Sequence, residues 1–351
     1  MLISGLIIGA ALGFVLQRGR FCVTGAFRDV WIAKNTWWLS ALFVAIAVQS
    51  VGVWLLDALG VITLSSPDFA WLATVLGGFV FGFGIVLAGG CATGTYYRAA
   101  EGLVGSWFAL LFYALFAAIA KYGPLGGATQ ALRGVTTEGH GTIHETFNVS
   151  PWVLVALLVA GAALWARHHL TKPRIKIATL PPERTGLGHL LFEKAWNPFA
   201  TAVVIGLIAT AAWPASWATG REFGLGITGP SASIARYLTT ADVEMVDWGV
   251  FLVVGILVGS LIAALGSQEF RIRVPDAQTI VRSIAGGALM GVGAAWAGGC
   301  TIGNGLVETS MFSWQGWIGL AAMILGTGAA AKLFIAPRRK VAAPGRVPAG
   351  L

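Results

Sequence analysis

The sequence predicts an all-α integral membrane protein of two pseudo-symmetric halves, an internal repeat whose short helices are broken or re-entrant. Three observations predict it. Hydrophobic residues make up 56% of the 351 positions and charged residues 11%, where a soluble domain carries about 25% charged. Apolar runs close to the roughly 20 residues that cross a bilayer recur along the chain. Finally, GGFVFGFGIVLAGGCATG (Gly77–Gly94) and GGALMGVGAAWAGGCTIG (Gly286–Gly303) are copies, identical at nine of eighteen positions.

The elements follow in order. The N-terminal MLISGLIIGAALGFVLQ has no basic stretch before its apolar run, so it reads as a first helix and not a cleaved signal. Further spans are expected over Thr36–Leu56, Leu103–Ala120, Trp152–Ala166, Pro198–Trp213, Val250–Leu265 and Ile318–Ile335. The 15 Trp and 48 Gly fit membrane helices, in which Trp marks interfaces and Gly is frequent. The polar, basic, proline-bearing RHHLTKPRIKIATLPPERTG (Arg167–Gly186) divides the chain. The expected organisation is an N-terminal half over 1–166, a linker over 167–194, a C-terminal half over 195–336 and a tail over 337–351.

The net charge of +8 excludes nothing by itself and calls for no nucleic-acid partner. Its cations sit at expected membrane edges: Arg167, Lys172, Arg174 and Lys176 in the linker, and Arg338, Arg339 and Lys340 after the last span. Basic loops stay in the cytoplasm, so the linker and C-terminus are expected there. The Arg271/Arg273 loop complicates the count of crossings.

A shift of 209 residues superimposes the two Gly-Gly-Cys segments. A shift of 204 places Thr24-Gly25 of GRFCVTG on Thr228-Gly229 of GLGITG, and Cys22 on Gly226. Two special positions per half make four slots, three with cysteine and one with glycine. An odd number of crossings per half would make the repeat inverted.

Gly89-Gly90 and Gly298-Gly299 supply the backbone freedom that ends a helix. The expectation at both is a helix, a short break at Cys91 or Cys300, then a second helix. Breaks at membrane depth are tolerated only inside protein or beside a wet cavity. The unpaired N–H groups of the following helix attract anions. Paired interrupted segments in two halves point to a transport site.

The three thiols are not arranged for disulfide exchange, since no Cys-x-x-Cys pair exists. No histidine or second cysteine adjoins any of them in sequence, and neither a metal nor a cofactor is implied. A buried thiol stays protonated and is a weak, soft hydrogen-bond donor. Such donors among backbone N–H groups suit a soft, sulfur-bearing anion. No Lys or Arg lies within six residues of Cys91 or Cys300. Arg98 is expected to pair with Glu101 and Arg28 with Asp29, because charges at membrane depth need partners. Arg18 and Arg20 are read either as an electrostatic mouth or as interfacial anchors. His140 and His144 in EGHGTIHE have metal-clip spacing but read as solvated loop residues. Tyr96, Tyr97, Trp107 and Trp314 read as interface anchors.

The strings LQRGRFCVTGAFRD, GGFVFGFGIVLAGGCATGTYYRAAEG, GREFGLGITG and AGGCTIG, in this order, closely resemble the YeeE/YedE family. The resemblance covers roughly residues 1–335, leaving the VAAPGRVPAGL tail outside it. It implies short helices and loops that push in from both faces to a central constriction. It also implies thiosulfate uptake across the bacterial inner membrane, with no enzymatic step. The ion would be relayed between Cys22, Cys91 and Cys300 by transient S–H hydrogen bonds at broken-helix ends. Gly89, Gly90, Gly298, Gly299 and Gly226 would frame that path. A small cytoplasmic sulfur-carrier protein of the TusA type is the implied recipient, with the basic linker as one dock. The alternatives are a transporter of another sulfur or selenium species, and a membrane-bound thiol or sulfurtransferase enzyme.

Overall fold

The computed structural model describes residues 2–65, 68–137, 141–172 and 184–336. The tail over 337–351 and the linker cations Arg174 and Lys176 lie outside them, as do Glu138 and His140. The described residues are helical and contain isolated β-bridges but no strand. The helices are α1 (Leu2–Arg18), α2 (Val23–Trp31), α3 (Trp37–Ala58), α4 (Trp71–Leu87), α5 (Ala92–Ala100) and α6 (Val104–Tyr122). Then come α7 (Gly126–Arg133), α8 (Pro151–Leu170), α9 (Pro198–Trp217), α10 (Thr228–Thr240), α11 (Trp248–Gly266), α12 (Ala277–Ala297) and α13 (Trp314–Phe334). A π-helical turn, Gly303–Glu308, separates the last two.

Among the described residues, nine stretches are long and apolar enough to cross a membrane, α1–α2 and α4–α5 each counting as one. This is a multi-pass membrane protein. Five of these stretches precede the linker, and four follow it. Each apolar run named from the sequence falls on one of them.

Helices α4 and α12 cross with their backbones in close contact. A Cβ at Gly77 would clash with the backbone of Ala297, and one at Gly286 with that of Ala88. At Gly84 it would lie 2.8 Å from the Met290 nitrogen, while Gly293 stands against Phe81. Rising numbers on one helix meet falling numbers on the other, so the helices are antiparallel. The contacts are also reciprocal: at the shift of 209, Gly77 corresponds to Gly286 and Ala88 to Ala297. The next layer repeats this. Gly82 on α4 meets Met323 on α13, and Gly291 on α12 meets Tyr113 on α6. Without a hydrophobic drive between helices in lipid, close backbone approach over small residues is what holds them.

The ends of the helices sort onto two faces. On one face Arg18 donates to the Leu191 carbonyl at 2.7 Å. Gln17 donates to Glu101 at 3.1 Å and to Glu269 at 2.6 Å, and Arg20 pairs with Glu269 at 2.8 Å. Arg273 N–H donates to the Gly102 carbonyl at 2.9 Å. The Arg271/Arg273 loop therefore shares a face with the linker's described end, which resolves the parity difficulty. On the opposite face Ile143 N–H donates to the Phe312 carbonyl at 2.8 Å, and Trp314 N–H to that of Gly141 at 3.0 Å. Helix α13 starts there and ends on the linker face. On the linker face Arg18, Arg20, Arg28, Lys34, Arg167, Lys172, Arg184, Lys194, Arg271 and Arg273 outnumber Asp29, Glu101, Glu193, Glu269 and Asp276. On the opposite face Asp57, Asp68, Glu145, Glu222, Asp242, Glu244 and Asp247 outnumber Lys121, Arg133, Arg221 and Arg236.

Burial works against charge on Glu269, but the hydrogen bond and charge of Arg20, with Gln17 and Arg18, outweigh it and hold its carboxyl below the usual range. Burial moves Glu101 the other way.

Two outcomes check this packing. Gly77→Val and Gly286→Val should each destabilise the purified protein by about 2 kcal/mol or more, as overpacking does. Gly161→Ala, on α8 with nothing within 4 Å, should be neutral or stabilise by up to about 1 kcal/mol. Thermal unfolding in detergent reads all three. A depressed carboxyl stabilises above its ordinary pKa of about 4.3 and loses that contribution as pH falls through its folded value. The difference in melting temperature between wild type and Glu269→Gln should therefore be largest at neutral pH and shrink towards pH about 3.

Candidate functional site

Both first-half breaks put a cysteine at a helix start. Cys22 is the N-cap of α2, and Cys91 is the N-cap of α5. Gly94 N–H donates to the Cys91 sulfur at 3.4 Å, and Thr93 Oγ1 lies 3.3 Å from it. The two glycines before Cys91 have different tasks. Gly89 takes a left-handed φ of +71° and turns the chain out of α4. Gly90 keeps an ordinary φ and gives room, since a Cβ there would lie 3.3 Å from the Thr95 nitrogen. In the second copy Gly298 has φ +80°, and a Cβ on Gly299 would press on Asn304 Oδ1 at 2.7 Å.

Cys22 and Cys91, 69 positions apart in the chain, converge in space. A methyl on Gly94 would sit 2.9 Å from the Cys22 sulfur and 3.4 Å from that of Cys91. Gly94 thus separates the two sulfurs, and all three cysteines are free and buried.

Cys300 departs from the expected pattern. The chain after it does not start an α-helix; Ile302 N–H donates back to the Cys300 sulfur at 3.4 Å, and a π-helical turn follows. Five- rather than four-residue spacing widens this turn. Asn304 bridges it, donating to the Ala297 carbonyl at 2.8 Å and to that of Gly299 at 3.3 Å. Gly303 is buried yet has open space where a Cβ would stand. The buried hydroxyls of Tyr113 and Tyr96 lie within electrostatic range of Cys300. The Tyr113 hydroxyl lies 2.9 Å from Thr228 Oγ1, and that of Tyr96 lies 2.8 Å from Ser231 Oγ. Tyr96 belongs to α5, so this short helix carries Cys91 at its start and meets α10 with its second turn through Ser231.

Several expectations change. Arg98 does not pair with Glu101. Its guanidinium donates to the Gly89 carbonyl, while Glu101 accepts from Gln17. Arg133 does the same work at the other break, donating to the Trp296 carbonyl at 3.1 Å. A cation thus stands at both helix ends, where it offsets the negative end of the helix dipole. Arg28 does pair with Asp29, at 2.9 Å. Tyr96 and Tyr97 are interior residues and not interface anchors, whereas Trp107 is exposed. His144 packs edge-on against Trp54. Gly226, the slot without cysteine, is buried, and a Cβ there would lie 2.8 Å from Arg221 Nη2. An arginine therefore fills the space over Gly226. On the linker face a cavity of about 250 Å³, lined by Gly89, Arg98, Ser106, Arg273 and Ser283, leads to the Cys91 break.

Half-helices that end inside a multi-pass helical protein, with glycines and neutral donors at their tips, define a membrane transporter. The chain belongs to the sulphur transport family, whose pattern matches residues 18–329. It is 58% identical over 342 residues to the thiosulfate transporter TsuA of Escherichia coli K12, covering 97% of each chain. It is 33% identical over 340 residues to the thiosulfate transporter TsuA of Spirochaeta thermophila, covering 93% of this chain and 97% of that one. A shorter match of 105 residues, 42% identical, links it to the probable transporter YedE of E. coli, covering 29% of this chain and 25% of that one.

The convergence at Gly94 makes a prediction. Mild oxidation of the purified protein should join Cys22 to Cys91 before either joins Cys300, each thiol giving up one hydrogen to the oxidant. Peptide mapping by mass spectrometry reads the pairing. Random pairing would contradict the geometry.

Proposed function

We propose that this protein carries thiosulfate across the bacterial inner membrane, with the cysteine thiols as successive hydrogen-bond donors along its path. The observation that carries the reading is the pairing of the Cys22 and Cys91 thiols, each on the first position of a half-helix, around a glycine that leaves room between them. The names of the full-length relatives support the cargo.

The chemistry fits a dianion with a terminal sulfur. Conduction requires that each stop bind strongly enough to accept the ion and weakly enough to release it. The first turns of α2 and α5 offer N–H groups with fractional positive charge. Neutral thiols add soft donors with no charge of their own. Arg98 stands at the tip but is engaged by the Gly89 carbonyl, which tempers its pull. Cys300, with its tyrosine and threonine hydroxyls, serves as a second station, and Gly226 completes the frame opposite Cys22.

We also infer that the halves over 1–166 and 195–336 form an inverted repeat. The reciprocal, antiparallel crossing of α4 and α12 supports this, as does the odd number of candidate spans before the linker. The excess of cations on the linker face supports placing that face, and with it the C-terminal end of α13, in the cytoplasm. A small sulfur-carrier protein of the TusA type docking on this basic face is consistent with delivery of the ion there.

Cells lacking other thiosulfate uptake should grow on thiosulfate as sole sulfur source when they express this protein. Cys91→Ala should abolish labelled thiosulfate uptake while the protein stays inserted and folded, and Cys22→Ala or Cys300→Ala should weaken it. Growth of the Cys91→Ala strain at the wild-type rate would exclude Cys91 from the path. A persulfide on the wild-type protein after turnover, read by mass spectrometry, would favour a sulfurtransferase.

A further inference from the structure

On the linker face the turn between α2 and α3 meets the end of α8. Helices α3 and α8 are both candidate membrane spans, so the start of one and the end of the other lie at headgroup level. Between them is a cavity of about 550 Å³, lined by Lys34, Asn35, Thr36, Trp37, His169 and Lys172. Its walls are fixed. His169 is buried, with Nε2 3.0 Å from Thr36 Oγ1 and its ring edge-on to Trp37 at 5.6 Å. Trp37 packs in turn on Phe199 at the start of α9, ring centroids 4.9 Å apart. Asn35 N–H donates to the Asp29 carbonyl at 3.1 Å, which anchors the turn that carries Lys34.

The cavity is cationic. Lys34 and Lys172 form no ion pair among the described residues, and Asp29, the carboxylate nearest Lys34 in the sequence, is held by Arg28. Thr36 supplies no side-chain cap to the 22-residue α3. First-turn N–H groups of that helix therefore add partial positive charge at the same place.

An apolar trough continues from it towards the bilayer centre. Helix α3 packs on both α8 and α9. Deeper along these helices a second cavity of about 380 Å³ is lined by Val44, Val48 and Val51 of α3, Val159 of α8 and Leu207 of α9. Trp37, Val44, Val48 and Val51 recur at helical spacing and share one face of α3. Val44 lies seven residues beyond Trp37, about 10 Å at 1.5 Å per residue. Val51, Val159 and Leu207 are exposed, so the trough opens to lipid.

We propose that this is a site for an anionic phospholipid, with its phosphate among Lys34, Asn35 and Lys172 and one acyl chain in the trough between α8 and α9. Basic pockets between membrane helices hold anionic headgroups in this manner. A free oxyanion would account for the lysines and leave the trough unexplained, and an uncharged lipid would do the reverse. The bound lipid joins the start of α3 to the end of α8, and so clamps the last span of the first half where the linker leaves it.

The experiment is native mass spectrometry of the full-length protein, delipidated in detergent and titrated with phosphatidylglycerol or phosphatidylethanolamine. Wild type should retain phosphatidylglycerol in preference, with an affinity that falls as salt rises. Lys34→Gln and Lys172→Gln should each weaken retention about three- to tenfold, and Lys34→Arg should keep it. Val159→Trp, which fills the trough and leaves both lysines, should weaken it too. Arg271→Gln, a cation of the same face outside the cavity, should match wild type. Phosphatidylglycerol should also raise the melting temperature of wild type but not of the Lys34→Gln, Lys172→Gln double variant, whose lipid-free melting temperature should equal that of wild type. Wild-type retention in the double variant would overturn the proposal, and loss of a sulfur-carrier protein by that variant instead would make the cavity a protein dock. An equal loss in Arg271→Gln would overturn it in favour of non-specific attraction to the basic face. Displacement of the lipid by inorganic phosphate, or full retention in Val159→Trp, would overturn it in favour of a free-anion site.

Discussion

Where α4 and α12 cross, backbone meets backbone: Ala297 stands against Gly77 and Ala88 against Gly286, with no room for a side chain at either glycine. The rest of the site depends on that contact. It sets the depth at which each helix ends, because the ending glycines, Gly89 and Gly298, follow directly on Ala88 and Ala297. It therefore sets where the cysteines stand and which way the next segment leaves. A wider crossing would separate the breaks from the helices that surround them and leave carbonyl groups unpartnered in the membrane, which is costly. The same crossing brings α6 and α13 against the far sides of the pair, so Tyr113 and Met323 are placed by it too.

Upon this reciprocal frame the chemistry is unequal. Cys22 and Cys91 converge at Gly94, whereas Cys300 stands apart from them, and an arginine fills the space over Gly226. One break is followed by an α-helix and the other by a π-helical turn held by Asn304. A charge-bearing path needs this inequality. An ion moves through a pore when the stations differ in what they offer, with strong attraction at the mouth and weaker, softer donors within. Arg98 and Arg133 show the restraint that keeps the interior weak, for each guanidinium is spent on a helix-end carbonyl and not left bare.

Much of the fold was legible in the sequence, because bilayer thickness forces long apolar runs that composition alone discloses. The duplicated Gly-Gly-Cys frame was legible for the same kind of reason: backbone contact tolerates only small residues, and such a constraint leaves a local signature. Gly94 was visible as a copied glycine, yet its task between two sulfurs was not, because Cys22 reaches it from a distant segment. The cations were misjudged for a like reason. Counting neighbours along the chain placed none near Cys91 or Cys300, whereas Arg98 curls back one helical turn and more to Gly89, and Arg133 arrives from a helix far away in sequence. Arg221 lay within a quoted motif, five positions before Gly226, and its presence there was the one signal available. The π-helical turn after Cys300 left no sign in the sequence, since TIGNGLVE and ATGTYYRA differ in ways that local propensity does not separate.

The central claim is that thiols carry the ion between the two faces. Its most direct test is labelled thiosulfate uptake by proteoliposomes holding the triple variant Cys22→Ala, Cys91→Ala, Cys300→Ala, beside wild type at equal protein and with folding checked by thermal unfolding. The account predicts that the folded triple variant imports no more than protein-free vesicles. Uptake at the wild-type rate would contradict it and leave the backbone and the cations as the only donors the ion requires.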